Sequence, residues 1–270
     1  MRLLPLLLAT LTLKASAELP VMSDDTRWLG YFVGWEQKDY DWGFGDDGVV
    51  KIHHLIKGKP GSHKDFVVSF IVREQIKGKW VSRRILDEGG LESNDQPGLD
   101  SKKPVTVTMT VTGGTKIELV QALSRGRMLV KPKLIEKTTE NPIQFVVKAR
   151  IPDLFRHMKE DLTEKEIKKL MRSDYIEGKR KKDGKKVKVK LYEKEIDLSD
   201  EKHFEEGATF VEYSSKKIEG KSFTMQQGSD DVGHFTVSTG SNLYSKVEFE
   251  WVADMEKLGE KDSYVSIAID

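Results

Sequence analysis

The chain contains no cysteine in 270 residues, so no disulfide framework and no lipid-accepting cysteine behind a leader is available. Folding therefore rests on buried apolar surface alone. No Asn-x-Ser/Thr sequon occurs, because Asn94, Asn141 and Asn242 are followed by the wrong residues. Beyond the first residues no stretch approaches eighteen consecutive apolar positions, which predicts a mature chain that does not span a membrane as a helix. An excess of one charge is also missing, with 45 basic against 44 acidic residues. Such balance argues against a dedicated nucleic-acid binder, which usually shows a strong basic excess. Phosphate-cradling glycine loops, dinucleotide fingerprints, HExxH helices and G-x-S-x-G elbows are absent as well.

What is present begins with MRLLPLLLATLTLKASA. Arg2, the apolar run Leu3 to Leu13 and the small-x-small site Ala15-Ser16-Ala17 predict a secretory signal peptide over residues 1–17. An eleven-residue run is too short to cross about 30 Å of hydrocarbon as a helix. Losing Arg2 and Lys14 leaves 43 basic against 44 acidic residues, a net charge of −1. Together with the missing cysteines and sequons, the leader predicts an extracytoplasmic protein, bacterial and periplasmic or secreted.

Strand patterning dominates the rest. In PVTVTMTVTGGTKIELV, residues 104–120, Val105, Val107, Met109 and Val111 alternate with threonines and so share one face. A two-residue Gly113-Gly114 loop would set Met109 against Glu118 and mix polar with apolar. An odd loop, Thr112 to Gly114, instead pairs Met109 with Ile117 and Val107 with Leu119, and that register is predicted. FVVSFIV (66–72) reads as a strand buried on both faces and IQFVVKARI (143–151) as another strand. Further strands are expected in GVVKIHHL, KWVSRRIL, KVKVKLYE, ATFVEY, SFTM, HFTVS, KVEFEWV and YVSIAI. One helix interrupts them. Thr163 and Glu166 form a capping box, Leu162 and Ile167 a hydrophobic staple, and Ile167, Leu170 and Met171 an apolar stripe. With PDLFRHM after Pro152 this makes a short helical connector around 153–172. The fold class expected is mainly β, an antiparallel β-sandwich or barrel-like stack in one or two units. Two units would run 27–151 and 175–270 with 152–174 between them; one continuous β-domain, 27–270, is the alternative.

Four stretches carry candidate chemistry. Seven aromatic residues fall between Trp28 and Phe44, and Trp28, Trp35, Tyr40 and Trp42, with Asp39, Asp41 or Gln37 accepting from hydroxyls, could stack on sugar rings. The competing reading makes these rings core. Asp39, Asp41, Asp46 and Asp47 raise calcium, but without the D-x-D-x-D-G spacing, and Asp46-Asp47-Gly48 reads equally as a turn. His53, His54 and His63 raise zinc or copper, although adjacent strand residues face opposite ways; no metal or other cofactor is expected. In QQGSDDVGHFTVSTGSN, Asp230, Asp231 and His234 are weak catalytic candidates beside Ser238 or Ser241. GKRKKDGKKVKVK, residues 178–190, holds eight basic residues. An Asp183-Gly184 two-residue turn pairs Ile176 with Leu191 and gives a lysine-coated hairpin, with Lys179, Arg180, Lys181, Lys182, Lys185 and Lys186 as a basic surface. Such a surface either grips an anionic polymer or discourages edge pairing.

These residues favour an exported, non-catalytic binding protein for carbohydrate or an acidic envelope polymer. A secreted polysaccharide hydrolase or lyase, and a structural subunit of an envelope assembly, are the alternatives, and a nucleic-acid partner is not expected.

Overall fold

In the computed structural model, the residues described are 19–24, 26–56, 59–60, 65–152, 162–191, 204, 206–218, 221–228, 232–239, 247–258 and 263–270. Strands β1 (Tyr31–Trp35), β2 (Tyr40–Gly45) and β3 (Val49–Ile56) form an opening meander. Next come β4 (Lys59–Pro60), β5 (Phe66–Ile76), β6 (Lys79–Arg83), β7 (Leu91–Glu92) and β8 (Gly98–Leu99). Four longer strands follow: β9 (Val105–Thr110), β10 (Lys116–Ser124), β11 (Arg127–Glu136) and β12 (Ile143–Ile151). Helix α1 (Glu164–Leu170) leads to β13 (Tyr175–Arg180), β14 (Lys186–Lys190) and β15 (Ala208–Ser214). The chain finishes with β16 (Ser222–Gln227), β17 (Gly233–Thr239), β18 (Val247–Asp254) and β19 (Val265–Ile269).

The mainly β, sandwich- or barrel-like stack expected from the sequence is what forms. One run of ladders goes β8-β1-β2-β3-β5-β12-β18-β17 and a second goes β7-β9-β10-β11-β19-β16-β15-β13-β14. Ala208 opposite Phe235 and Ile85 opposite Val111 join the two, so the sheet curls on itself. Among the described strands all pairings are antiparallel except β1 with β8. Rings from the two runs meet inside: Phe66 on β5 stacks on Phe223 of β16 at 5.2 Å, and Phe223 lies 6.3 Å from Phe249 of β18. Burying such rings supplies much of the driving force a cysteine-free chain needs.

Local expectations fare unevenly. The β9–β10 register is as predicted, Met109 opposite Ile117 and Val107 opposite Leu119, with Gly114 at φ +89°. FVVSFIV differs: burial alternates along β5, so one face packs and the other is half-buried. The basic hairpin is shifted by two residues, placing Ile176 opposite Val189 rather than Leu191. Its loop is four residues long because Arg180 clamps Asp183, whose carboxylate also accepts from the Lys185 amide at 3.1 Å. A shift of two preserves which face each side chain takes, so apolar still meets apolar.

The Thr163–Glu166 capping box forms, with Ile167 half-buried and Met171 buried. Leu170 instead faces solvent at 58% exposure, and PDLFRHM after Pro152 lies outside the described residues. Strand β11 had no sequence expectation. Pro132 sits in it where β19, which pairs as far as Val130, has ended, so the missing amide donor breaks no two-sided ladder. Among the described residues no helix is long and apolar enough to cross a membrane.

Candidate functional site

The aromatic segment turns inward. Trp28, Trp35, Tyr40 and Trp42 are all buried, at 1–4% exposure, so none offers a face on which a sugar could stack. Gly34 and Gly43 pair across β1–β2 and make the room: a Cβ on Gly34 would come within 2.7 Å of the Trp28 ring. Strand glycines mark close approach of another group, and here that group is an indole. Two of the indole edges are satisfied internally, Trp28 Nε1 donating to Glu36 at 3.2 Å and Trp35 Nε1 to the Ser101 carbonyl at 3.1 Å.

The acids of this segment separate. Asp41 is buried against Arg27, whereas Asp47 accepts from the Val49 amide and pairs with Lys51 at 3.1 Å, which is turn chemistry before β3. Asp46 and Asp47 are exposed and Asp39 is half-buried, its Oδ2 2.6 Å from Lys221 Nζ; that hydrogen bond holds its carboxyl below the usual range. Among the described residues no group of three or more histidines and carboxylates is placed to hold a metal ion. His53 and His54 do face opposite ways, His54 stacking on Tyr40 at 5.0 Å, and His63 lies outside the described residues. His53 bridges two partners, Tyr31 Oη at 3.0 Å and Asp65 at 2.8 Å. Tyr31 reaches it by lying over Gly43, and burial raises the phenol's pKa, the wrong direction for an activated nucleophile.

Asp230, Asp231 and Ser241 lie outside the described residues. His234 and Ser238 are four apart on β17, so their side chains leave one face roughly 13 Å apart and cannot act as a base–nucleophile pair. Burial, and then Lys181, lowers the His234 pKa.

The cationic residues are what converge at the surface. Lys186, Lys188 and Lys190 leave the same face of β14, which pairs among the described strands with β13 alone. Glu177 answers the first two at 3.3 and 3.7 Å, and Lys188 Nζ stands 3.3 Å over the Tyr175 ring. At the tip, Lys179, Lys182, Lys185 and Lys186 are exposed, whereas Arg180 is engaged with Asp183 and Lys181 donates to the Gly233 carbonyl at 3.1 Å. Beyond Lys190 the surface continues onto α1. Lys165, Lys168 and Lys169 of α1, spaced three and four apart, and Arg172 just past the C-cap Met171 join Lys190 around a groove of about 530 Å³. That helical spacing was readable in the sequence; its meeting with Lys190 was not. Trp80, missed as well, is the exposed tryptophan of the five, at 42% on edge strand β6.

No protein-family model matches the chain, and no curated protein matches it by sequence. Among solved structures, an alpha-N-acetylgalactosaminidase (NagBb) from Bifidobacterium bifidum, in complex with GalNAc, is similar with a TM-score of 0.54 at 8% identity. The similarity covers 87% of this chain and 35% of that one, so this chain spans about a third of its length. At that identity the likeness is one of fold.

Proposed function

We propose that the protein is an extracytoplasmic, non-catalytic binding protein for an acidic glycan, which it holds along the cationic surface of α1 and β14. The observation that carries this is the groove in which five cations, Lys165, Lys168, Lys169, Arg172 and Lys190, meet with no carboxylate among its lining residues. Clustered like charges repel one another, so such a cluster stores an attraction for a polyanion and raises its local concentration. Lys165, Lys169 and Arg172 have no ion pair among the described residues and stay available. The leader over residues 1–17 supplies the address. Leu19, two residues beyond Ala17, is seated in the core, which leaves cleavage after Ala17 compatible with the fold. Kinship of fold with a glycosidase supports a glycan over other polyanions, as does the near-neutral net charge, which disfavours nucleic acid.

Titration of the mature chain with polygalacturonate, and with a neutral glucan, tests the reading. Polygalacturonate is expected to bind with an affinity that falls steeply as salt rises, and the glucan not to bind. Replacing Lys165, Lys169 and Arg172 together by Gln removes three contacts of roughly 0.5 kcal/mol each, about tenfold in affinity at low salt. Equal binding of both polymers, or no effect of the triple substitution, would refute the proposal.

A further inference from the structure

We infer that the depression around Asp39, Lys221 and Arg125 is a separate pocket for one hexuronate residue, at the same end of the sheet as the α1–β14 groove. Three turns and a strand end build it: Lys38 and Asp39 between β1 and β2, Arg125 and Gly126 between β10 and β11, Lys221 before β16, and Ile269 at the close of β19. They bound about 190 Å³, with the edges of the buried Tyr40 and Trp42 also among the lining.

The chemistry is mixed in the way a sugar acid requires. Lys221 donates to Asp39 at 2.6 Å and stands 5.2 Å from the Tyr40 ring centre, so this pair is internally neutral. Lys38 and Arg125 carry no ion pair among the described residues, which leaves two positive charges beside the pair. A carboxylate seated between Lys38 and Arg125 would be held by charge-assisted bonds, while Asp39, more than a third exposed, accepts from the ring hydroxyls. A bare anion would leave Asp39 unused and close to its own charge. A neutral sugar would leave the two cations unused. The pocket selects a ligand carrying both features.

Its position ties it to the groove, and to that extent the inference rests on the proposed acidic-glycan reading. Lys190, Tyr175, Ser214 and Ser222 lie opposite one another across β14, β13, β15 and β16. Lys221 directly precedes Ser222, and three strand spacings separate Lys190 from Ser222, roughly 14 Å. Tyr175 and Ser222 both donate to Glu212 between them, at 3.0 and 2.8 Å, so the intervening surface is polar and hydrogen-bonded. One acidic chain could enter the groove and end in the pocket.

The test uses the mature protein and four probes: galacturonate, glucose, acetate and polygalacturonate. Galacturonate is expected to bind, with glucose and acetate at least roughly tenfold weaker. Arg125→Asn is the decisive variant, because Asn suits the two-residue turn between Ser124 and Arg127 and folding is left intact. It and Lys221→Met should each weaken galacturonate roughly tenfold, whereas the triple Gln variant of the groove should leave the monomer unchanged and weaken polygalacturonate alone. The pocket is refuted if acetate or glucose matches galacturonate, or if Arg125→Asn binds it like the wild type. A polymer that ignores the groove variant refutes the groove reading instead, and the monomer result is then read independently.

Discussion

Protonating or replacing Glu74 is the perturbation with the clearest magnitude. Its carboxylate is buried at the end of β5 and accepts from Asn141 Nδ2 at 2.6 Å, Thr139 Oγ1 at 2.7 Å and Arg83 Nε at 2.7 Å. It thereby clamps β5, β6 and the β11–β12 connection to one another. The bonds from Asn141 and Thr139, then Arg83, outweigh desolvation and hold its pKa at about 2 against an ordinary 4.5. A pKa lower in the folded state means that the ionised form stabilises the fold. That contribution is complete above the unfolded pKa, shrinks as pH falls from 4.5 towards 2, and vanishes below.

A displacement of this size corresponds to about 3 kcal/mol. Other carboxylates titrate over the same range, so the readout is a difference. Urea unfolding of the wild type and of Glu74→Gln should be followed from pH 7 to pH 2.5. The variant should be less stable by about 2–3 kcal/mol at pH 7, since its amide turns a donor towards Arg83, and the two curves should converge as pH falls. Parallel curves across that range would show that Glu74 is not held ionised by its partners, and the reasoning would fail.

Two smaller substitutions probe the backbone. Gly43→Ala places a Cβ 2.5 Å from the Tyr31 ring and should destabilise by about 1–3 kcal/mol in thermal or urea melts, with loss of the Tyr31–His53 hydrogen bond; an unchanged melting temperature would mean that the ring does not lie over the glycine. Arg125→Asn relieves a positive φ of 52° at the β10–β11 turn and should raise stability by about 0.5–1 kcal/mol even as it costs binding, a pairing that a purely structural role for Arg125 would not produce.

How much of this was legible in the sequence depends on how local each cause is. The β9–β10 register could be read because Val105, Val107 and Met109 must face what Ile117 and Leu119 face, and the connecting loop is short. The capping box was equally local. The basic hairpin was misjudged by two residues because the Arg180–Asp183 clamp lengthens the loop, and Asp-Gly alone does not reveal the clamp. β11 had no expectation, since a proline in a strand counts against it until the partner's end is known. The aromatic segment was undecided between display and burial. Gly34 and Gly43 held the answer, for a glycine inside a strand announces that something large lies across it. Asp39 meeting Lys221 was beyond reach, 182 residues separating the two.

Charge is where the two levels differ most. Summed along the sequence it is almost zero, which by itself suggests a surface without electrostatic character. Folding segregates it. On the β12–β18 face Lys148 bridges Glu248 and Glu250 at 2.6 and 3.3 Å, with Arg73 on Glu250 at 2.9 Å and Arg150 on Glu248 at 3.4 Å, so acids and bases cancel in place. On β14 and α1 cations cluster instead: Lys168 and Lys169 in the last turn of α1 complement its C-terminal dipole, and Lys165, Arg172 and Lys190 line the same groove without a carboxylate among its lining residues. Discouraging edge pairing explains lysines along β14, but not a second set on a helix, which has no edge to protect. The helical set is the part of the surface on which the proposed acidic-glycan reading rests, and the Lys165, Lys169 and Arg172 triple substitution is what tests it.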